Sequence, residues 1–228
     1  MIYASFTQEV ERNQMDKNLK AKFIAGLKET VETIVFVVIM VIIIRFFIGE
    51  IRWIPSASMH PTLIEKDRIF VERFSRFFSD PQRGDIIVFY PPETELKTDA
   101  ISVLARLTGF GCKDIAYIKR VIGMPGDEFE IKELVNGEYK VYINDEPINE
   151  PYIMSSDDYI SCTAGMYCGP MTIPEGQYFM MGDNRGNSQD SRFWGLLPRE
   201  RVIGKAIFRF WPIHRTHAFI RPQYENLK

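Results

Sequence analysis

Two hydroxyls two residues apart, Ser56 and Ser58, lie between the prolines of Ile54-Pro55-Ser56-Ala57-Ser58-Met59-His60-Pro61-Thr62-Leu63. Each proline fixes its own φ and pushes the preceding residue toward extended geometry. Ser58 is therefore expected on a stiff, extended backbone, which would suit a nucleophile, although the same composition also suits a linker. A serine hydroxyl becomes nucleophilic only with a base beside it. The histidines are His60, His214 and His217. His60 follows Ser58 too closely to face its hydroxyl, and the other two fall in a basic tail after the last strand pattern. Lys119 sits in Tyr117-Ile118-Lys119-Arg120-Val121-Ile122, where strand alternation places it on the face opposite Ile118 and Arg120. On its own, such a lysine reads as a solvent-facing strand residue.

The polar stretch Gly182-Asp183-Asn184-Arg185-Gly186-Asn187-Ser188-Gln189-Asp190-Ser191-Arg192 invites a calcium-loop reading. That reading fails, because Arg185 takes the third ligand position and Trp194 stands where the closing glutamate belongs. Asp, Asn, Gly and Ser also simply make good turns. Cys112, Cys162 and Cys168 show no metal-ligand spacing, so neither metal nor cofactor is implied. A formal net charge of −2 gives no reason to expect a nucleic-acid partner.

These groups need elements to position them. Residues 34–44 are an unbroken apolar run, interrupted by Arg45 before Phe46-Phe47-Ile48. As a helix, residues 33–49 would reach roughly 25 Å against a hydrocarbon core of about 30 Å, with Arg45 near one end where it can snorkel. A cleavable secretory signal is the alternative, since Ser56-Ala57-Ser58 supplies small residues after the apolar run. The region before it is too long and mixed in charge for that, and cleavage would remove Ser58. The expectation is a cytoplasmic tail over residues 1–29, with an amphipathic helix possible over 17–27, and one retained transmembrane anchor over 30–49. Arg12, Lys17, Lys20, Lys22 and Lys28 place the N-terminus in the cytoplasm by the positive-inside rule.

Residues 50–228 read as a β-rich domain. Short β-branched and aromatic runs fall at 68–74, 85–90, 117–123, 128–132, 139–143, 177–181 and 202–211, separated by turn signals such as Pro125-Gly126-Asp127, Asn136-Gly137 and Asn144-Asp145. No long helical pattern intervenes, so the sheet is expected to be antiparallel. Residues 91–116 break the rhythm and read as an insertion, with room for a short helix.

Four stretches in order, Pro55 to Leu63, Gly84-Asp85-Ile86-Ile87-Val88-Phe89, Tyr117 to Asp127 and Gly182 to Arg192, give the chain its resemblance to bacterial type I signal peptidases, a Ser/Lys protease family. The likeness runs from residue 30 to about 212. It implies a membrane-anchored serine endopeptidase that removes signal peptides from exported preproteins after small residues, in an Ala-x-Ala pattern. Its implied site has Ser58 as nucleophile and Lys119 as general base. The Ser56 hydroxyl and Ser58 amide would form the oxyanion hole, Ser188 would orient the lysine, and Asp190 and Arg192 would pair to hold the wall. Ala57 and Gly186 stand where some relatives carry Gly and Asp, and a single anchor differs from relatives with two.

The implied partners are preprotein signal peptides and membrane lipids. The implied place is the bacterial cytoplasmic membrane, with the catalytic domain outside, acting as a monomer near the secretion translocon. In that oxidising compartment Cys162 and Cys168, with five residues between them in a turn-rich stretch, are expected to pair, and Cys112 to stay reduced. A narrow-duty Ser/Lys processing protease of organelle inner-membrane or conjugation-pilus type, or a non-enzymatic anchored binding domain, would fit the same elements.

Overall fold

The computed structural model describes residues 2–108, 114–153, 162 and 166–224, with side chains from residue 19 onward except at 107 and 108. Cys112 lies outside the described residues. The chain divides into two units, Met1–Ile44 and Arg45–Lys228.

The first unit contains one helix, α1 (Ile2–Ile43), and residues Ile44–Ile48 form a single π-helical turn. The separate amphipathic helix expected over 17–27 is absorbed into α1. Nothing over residues 28–33 breaks it. Lys28 and Glu32 pair one turn apart, and Thr30 and Thr33 donate to the carbonyls of Gly26 and Glu29, so the polar side chains there are satisfied within the helix. Leu19–Ile48 is long and apolar enough to cross a membrane. Arg45 lies at the end of this apolar stretch. It turns to Glu50, 3.4 Å away, and Arg52 and Arg73 approach the same carboxylate.

In the second unit the expected antiparallel, mainly β domain forms two sheets. The strands are β1 (Gly49–Trp53), β2 (Arg68–Glu72), β3 (Ile86–Phe89), β4 (Tyr117–Gly123), β5 (Glu128–Glu133), β6 (Tyr139–Ile143), β7 (Glu146–Pro147), β8 (Met171–Thr172), β9 (Gln177–Met181), β10 (Leu197–Pro198), β11 (Val202–Trp211) and β12 (His217–Ala218). The larger sheet runs β1-β2-β11-β3-β4-β9-β10, with β12 on β11, and the smaller runs β7-β6-β5-β8. Helix α2 (Ala100–Thr108) occupies the insertion, and the one-turn α3 (Ser191–Trp194) follows β9.

Alternation assigns the faces of the larger sheet. Ile86, Val88 and Ile118 join Ile54, Met59, Leu63, Ile69 and Val71 in one core, while Ile87, Phe89 and Val121 pack with Tyr178, Met180 and Leu197 in another. Both faces of β3 and β4 are covered, which is why β3 is an unbroken apolar run, while β4 carries Lys119 and Arg120 into the interior. A third core, containing Ile122, Phe129, Val141, Ile143 and Met181, joins the two sheets, with the rings of Phe129 and Phe179 stacked 3.8 Å apart. At the hairpin from β6 to β7, Asn144 and Asp145 both take positive φ (50° and 63°), the twist a two-residue turn requires.

Gly204 sits where β11 shifts register against β3, and a Cβ there would lie 2.2 Å from the backbone oxygen of Glu72. Backbone cannot swing aside as a side-chain tip can. Gly204→Ala should therefore destabilise the domain by about 1–3 kcal/mol, read as a lower denaturation midpoint of the detergent-solubilised chain. An unchanged midpoint would contradict this packing.

Candidate active site

The extended backbone expected at Ser58 is not what forms. Ala57–Met59 is a single 3-10 turn, closed by the His60 N–H donating to the Ala57 carbonyl at 3.0 Å. The prolines act one residue upstream of themselves, on Ile54 and on His60, whose ψ is 143°. They stiffen the flanks and leave the three residues between them free to turn. Met59 and Leu63 are fully buried in the core beneath, which pins the turn from below.

Lys119 lies mid-strand in β4, opposite Ile87 of β3, and is 4% exposed. Its Nζ is 2.7 Å from the Ser58 Oγ. The strand and the turn thus bring together two groups 61 residues apart in sequence. Among the described residues Lys119 makes no ion pair. Burial holds its amine down, from 10.5 to about 8; the charges of Asp190 and Asp183 pull it back up, and that of Arg192 adds to the fall. A neutral amine at this distance can accept the hydroxyl proton.

The two opposing carboxylates are turned elsewhere. Asp190 is fully buried and takes two parallel bonds from Arg192, at 2.8 and 2.9 Å, and one from the Gly182 N–H at 3.0 Å. Asp183 is gripped by Arg120 at 2.8 and 2.6 Å and by the Thr62 hydroxyl at 2.5 Å. Forked pairing of this kind keeps the lone pairs of both carboxylates engaged, while burial pushes the Asp183 carboxyl up. Arg185 pairs with Glu150 instead.

The hydrogen bond expected from Ser188 to Lys119 is not formed. Among the described residues the Ser188 hydroxyl is buried without a partner. It packs over Gly182, where a Cβ would lie 2.3 Å from Ser188 Oγ and 2.4 Å from the Ser58 carbonyl oxygen. Only glycine lets the loop approach so closely. Ser56 is exposed, its Oγ 3.4 Å from that of Ser58. His60 bonds Glu65 at 2.7 Å, and His214 and His217 are exposed. The sulfurs of Cys162 and Cys168 are bonded, and the neighbouring Tyr167 N–H donates to the Arg192 carbonyl at 2.8 Å.

A groove of about 490 Å³ opens onto Ser58 and Lys119, walled by Pro55, Ser56, Ile115, Tyr117 and Gln189. A second cleft of about 390 Å³, around Arg199 and Lys205, contains neither. Sequence reasoning missed Arg120, Asp183, Asn184 and Glu150, although the first three stand inside the quoted stretches. A pair such as Arg120 with Asp183, 63 residues apart, leaves no local signal.

The depressed lysine implies a pH-dependent stability. An unfolded lysine takes up a proton below about 10.4, the folded one only below about 8. Between these values the unfolded state binds more protons, so stability rises with pH across that window and the penalty is full below it. At about 1.36 kcal/mol per unit the penalty is on the order of 3 kcal/mol. Lys119→Met should therefore be more stable than the unsubstituted chain at pH 7, and the gap should close toward pH 10.5, as denaturation at several pH values would measure. A gap independent of pH would contradict a neutral buried amine.

Residues 27–211 match the family described as signal peptidase, peptidase S26. A protein named signal peptidase I from Leptolyngbya laminosa is 43% identical over 189 residues, 83% of this chain and 82% of that one. One named probable signal peptidase I-2 from Synechocystis sp. is 41% identical over 187 residues, 81% of this chain and 73% of that one. A crystal structure of a signal peptidase I from Enterococcus faecalis, 28% identical, aligns over 56% of this chain and 97% of its own with a TM-score of 0.38. With four-fifths of its length matched in this way, the chain belongs to the signal peptidase, peptidase S26 family.

Proposed function

We propose that this chain is a membrane-anchored serine endopeptidase that cleaves signal peptides from exported preproteins with a Ser58/Lys119 dyad. The observation that carries the reading is the 2.7 Å approach of a desolvated amine to a serine hydroxyl at the floor of a groove. Neutral Lys119 takes the Ser58 proton as Oγ attacks the scissile carbonyl. The oxyanion accepts hydrogen bonds from the Ser58 amide and the Ser56 hydroxyl, donors aimed where charge develops. Collapse breaks the C–N bond, and the Lys119 ammonium returns its proton to the leaving amine of the mature protein. The signal peptide remains as an ester on Ser58 until water, deprotonated by Lys119, attacks it and regenerates both groups. Asp190 and Arg192 hold the wall behind the lysine. Ser188 packs against Gly182 beside the dyad.

Residues within Leu19–Ile48 serve as the anchor. The basic residues before it put the N-terminus in the cytoplasm and the catalytic unit on the outer face of the bacterial cytoplasmic membrane. Cleavage after small side chains follows from the family likeness, with Ile115 and Tyr117 supplying apolar groove wall.

Cleavage of a preprotein by the detergent-solubilised chain tests the reading. The neutral fraction of the base grows as pH rises through about 8, so the rate should climb through that value and level off above it. Ser58→Ala, Lys119→Met and Lys119→Arg should each lose roughly 10³-fold or more while remaining folded, the last because a guanidinium stays protonated. Replacing His60, His214 and His217 together should leave most activity intact. A folded Lys119→Met chain that cleaves at a comparable rate would refute the dyad.

A further inference from the structure

The loop after β9 touches the serine turn at two points, and one residue makes both contacts. The Asn184 N–H donates to the Ser58 carbonyl at 3.1 Å, and the Asn184 Nδ2 donates to the Ala57 carbonyl, also at 3.1 Å. The amide's orientation follows from its partner, since a carbonyl oxygen can only accept. These two carbonyls belong to the peptide units on either side of the Ser58 Cα. Asn184 therefore fixes the backbone of that residue from both directions.

The consequence for chemistry lies in the first of those units. The Ala57 carbonyl and the Ser58 N–H share one rigid plane and point in opposite directions. Whatever fixes the oxygen fixes the direction of the N–H. The Ala57 oxygen accepts two bonds, from the His60 N–H at 3.0 Å and from Asn184 Nδ2. Two donors on the carbonyl also polarise the peptide, which strengthens its N–H as a donor. That N–H is the backbone half of the proposed oxyanion hole, and no other described side chain bonds the Ala57 carbonyl.

Asn184 is itself held in register with the strand that bears the lysine. The preceding residue, Asp183, is fully buried and tied to Arg120, next to Lys119 on β4, and to Thr62, four residues after Ser58. Gly182, with no room for a Cβ against the Ser58 carbonyl, allows the approach. The Asn187 N–H donates to the Asn184 carbonyl at 3.1 Å and closes the turn behind it. Three consecutive residues thus couple the base strand to the serine turn.

We infer that Asn184 is a positioning residue for the oxyanion hole, aiming the Ser58 N–H through its side-chain bond to the Ala57 carbonyl. The inference rests on the proposed role of Ser58 and its amide. It concerns the transition state alone, because the amide's direction matters only once charge has developed on the substrate oxygen.

The test compares Asn184→Ala, Asn184→Asp and Ser58→Ala with the unsubstituted full chain in detergent, using a preprotein and a peptide boronic acid ending in an alanine analogue. The boronate becomes tetrahedral on Ser58 Oγ and places an oxygen in the oxyanion position. Removing one oxyanion donor outright costs about 10²- to 10³-fold, so misdirecting one should lower kcat about 10- to 100-fold in Asn184→Ala. KM should hold, and the inflection near pH 8 should stay, because Lys119 is untouched. Boronate affinity should fall with kcat, whereas binding of uncleaved preprotein, measured with Ser58→Ala also present, should not. Asn184→Asp keeps the side chain's shape but presents an acceptor to an acceptor, and should lose more. It also decides the matter if Asn184→Ala fails to fold. Equal losses in preprotein and boronate binding, or unchanged kcat in a folded variant, would overturn the inference. Full activity in Ser58→Ala would overturn the dyad itself, a separate outcome.

Discussion

Keeping Lys119 dry while two carboxylates stand near it is the constraint on which the rest of the second unit depends. Desolvation alone would lower the amine further than it falls; Asp190 and Asp183 both work to raise it. The fold does not remove these charges. It directs each toward a guanidinium, Asp190 to Arg192 and Asp183 to Arg120, with hydrogen bonds on both oxygens. Buried charges in such numbers are costly unless paired, and here the pairs have a second effect, because they leave the lysine's nearest contact an uncharged hydroxyl. The ion pairs hold the site's walls and keep its base available.

The sheet makes this arrangement possible. β4 lies between β3 and β9, so its side chains meet cores on both faces, and its lysine is buried beneath the turn that carries Ser58. The turn carrying Ser58 is pinned beneath by Met59 and Leu63 and from the side by the loop after β9. Glycine at position 182 decides how close that loop can come. Packing and chemistry therefore share residues: the loop that engages Asp190 and Asp183 with guanidinium groups is also the one that fixes the Ser58 backbone.

Much of this was legible in the sequence because strand runs flanked by turn residues carry local signals. The expected runs at 117–123, 139–143, 177–181 and 202–211 match β4, β6, β9 and β11. β1 was not legible, because its pattern is inverted. Glu50 is buried among Arg45, Arg52 and Arg73 while Ile51 and Trp53 face outward. A rule that puts apolar residues inside cannot find such a strand. At the site, Ser58 and Lys119 were readable from their stretches and the family likeness. The turn at Ser58 was not, since proline constrains the residue before it rather than the segment between two prolines. Nor were the Arg120 to Asp183 and Arg185 to Glu150 pairs, whose partners are brought together only by the fold.

The protonation state of Lys119 is accessible without any catalytic assay. Lysine carrying ¹³C at the ε carbon, incorporated throughout the chain and assigned by comparison with Lys119→Met, reports each amine's titration through its chemical shift. The Lys119 resonance should move with a midpoint near pH 8, well apart from the others. A midpoint at the ordinary lysine value of about 10.4 would mean the amine stays charged beside Ser58, and the account of the site would be wrong.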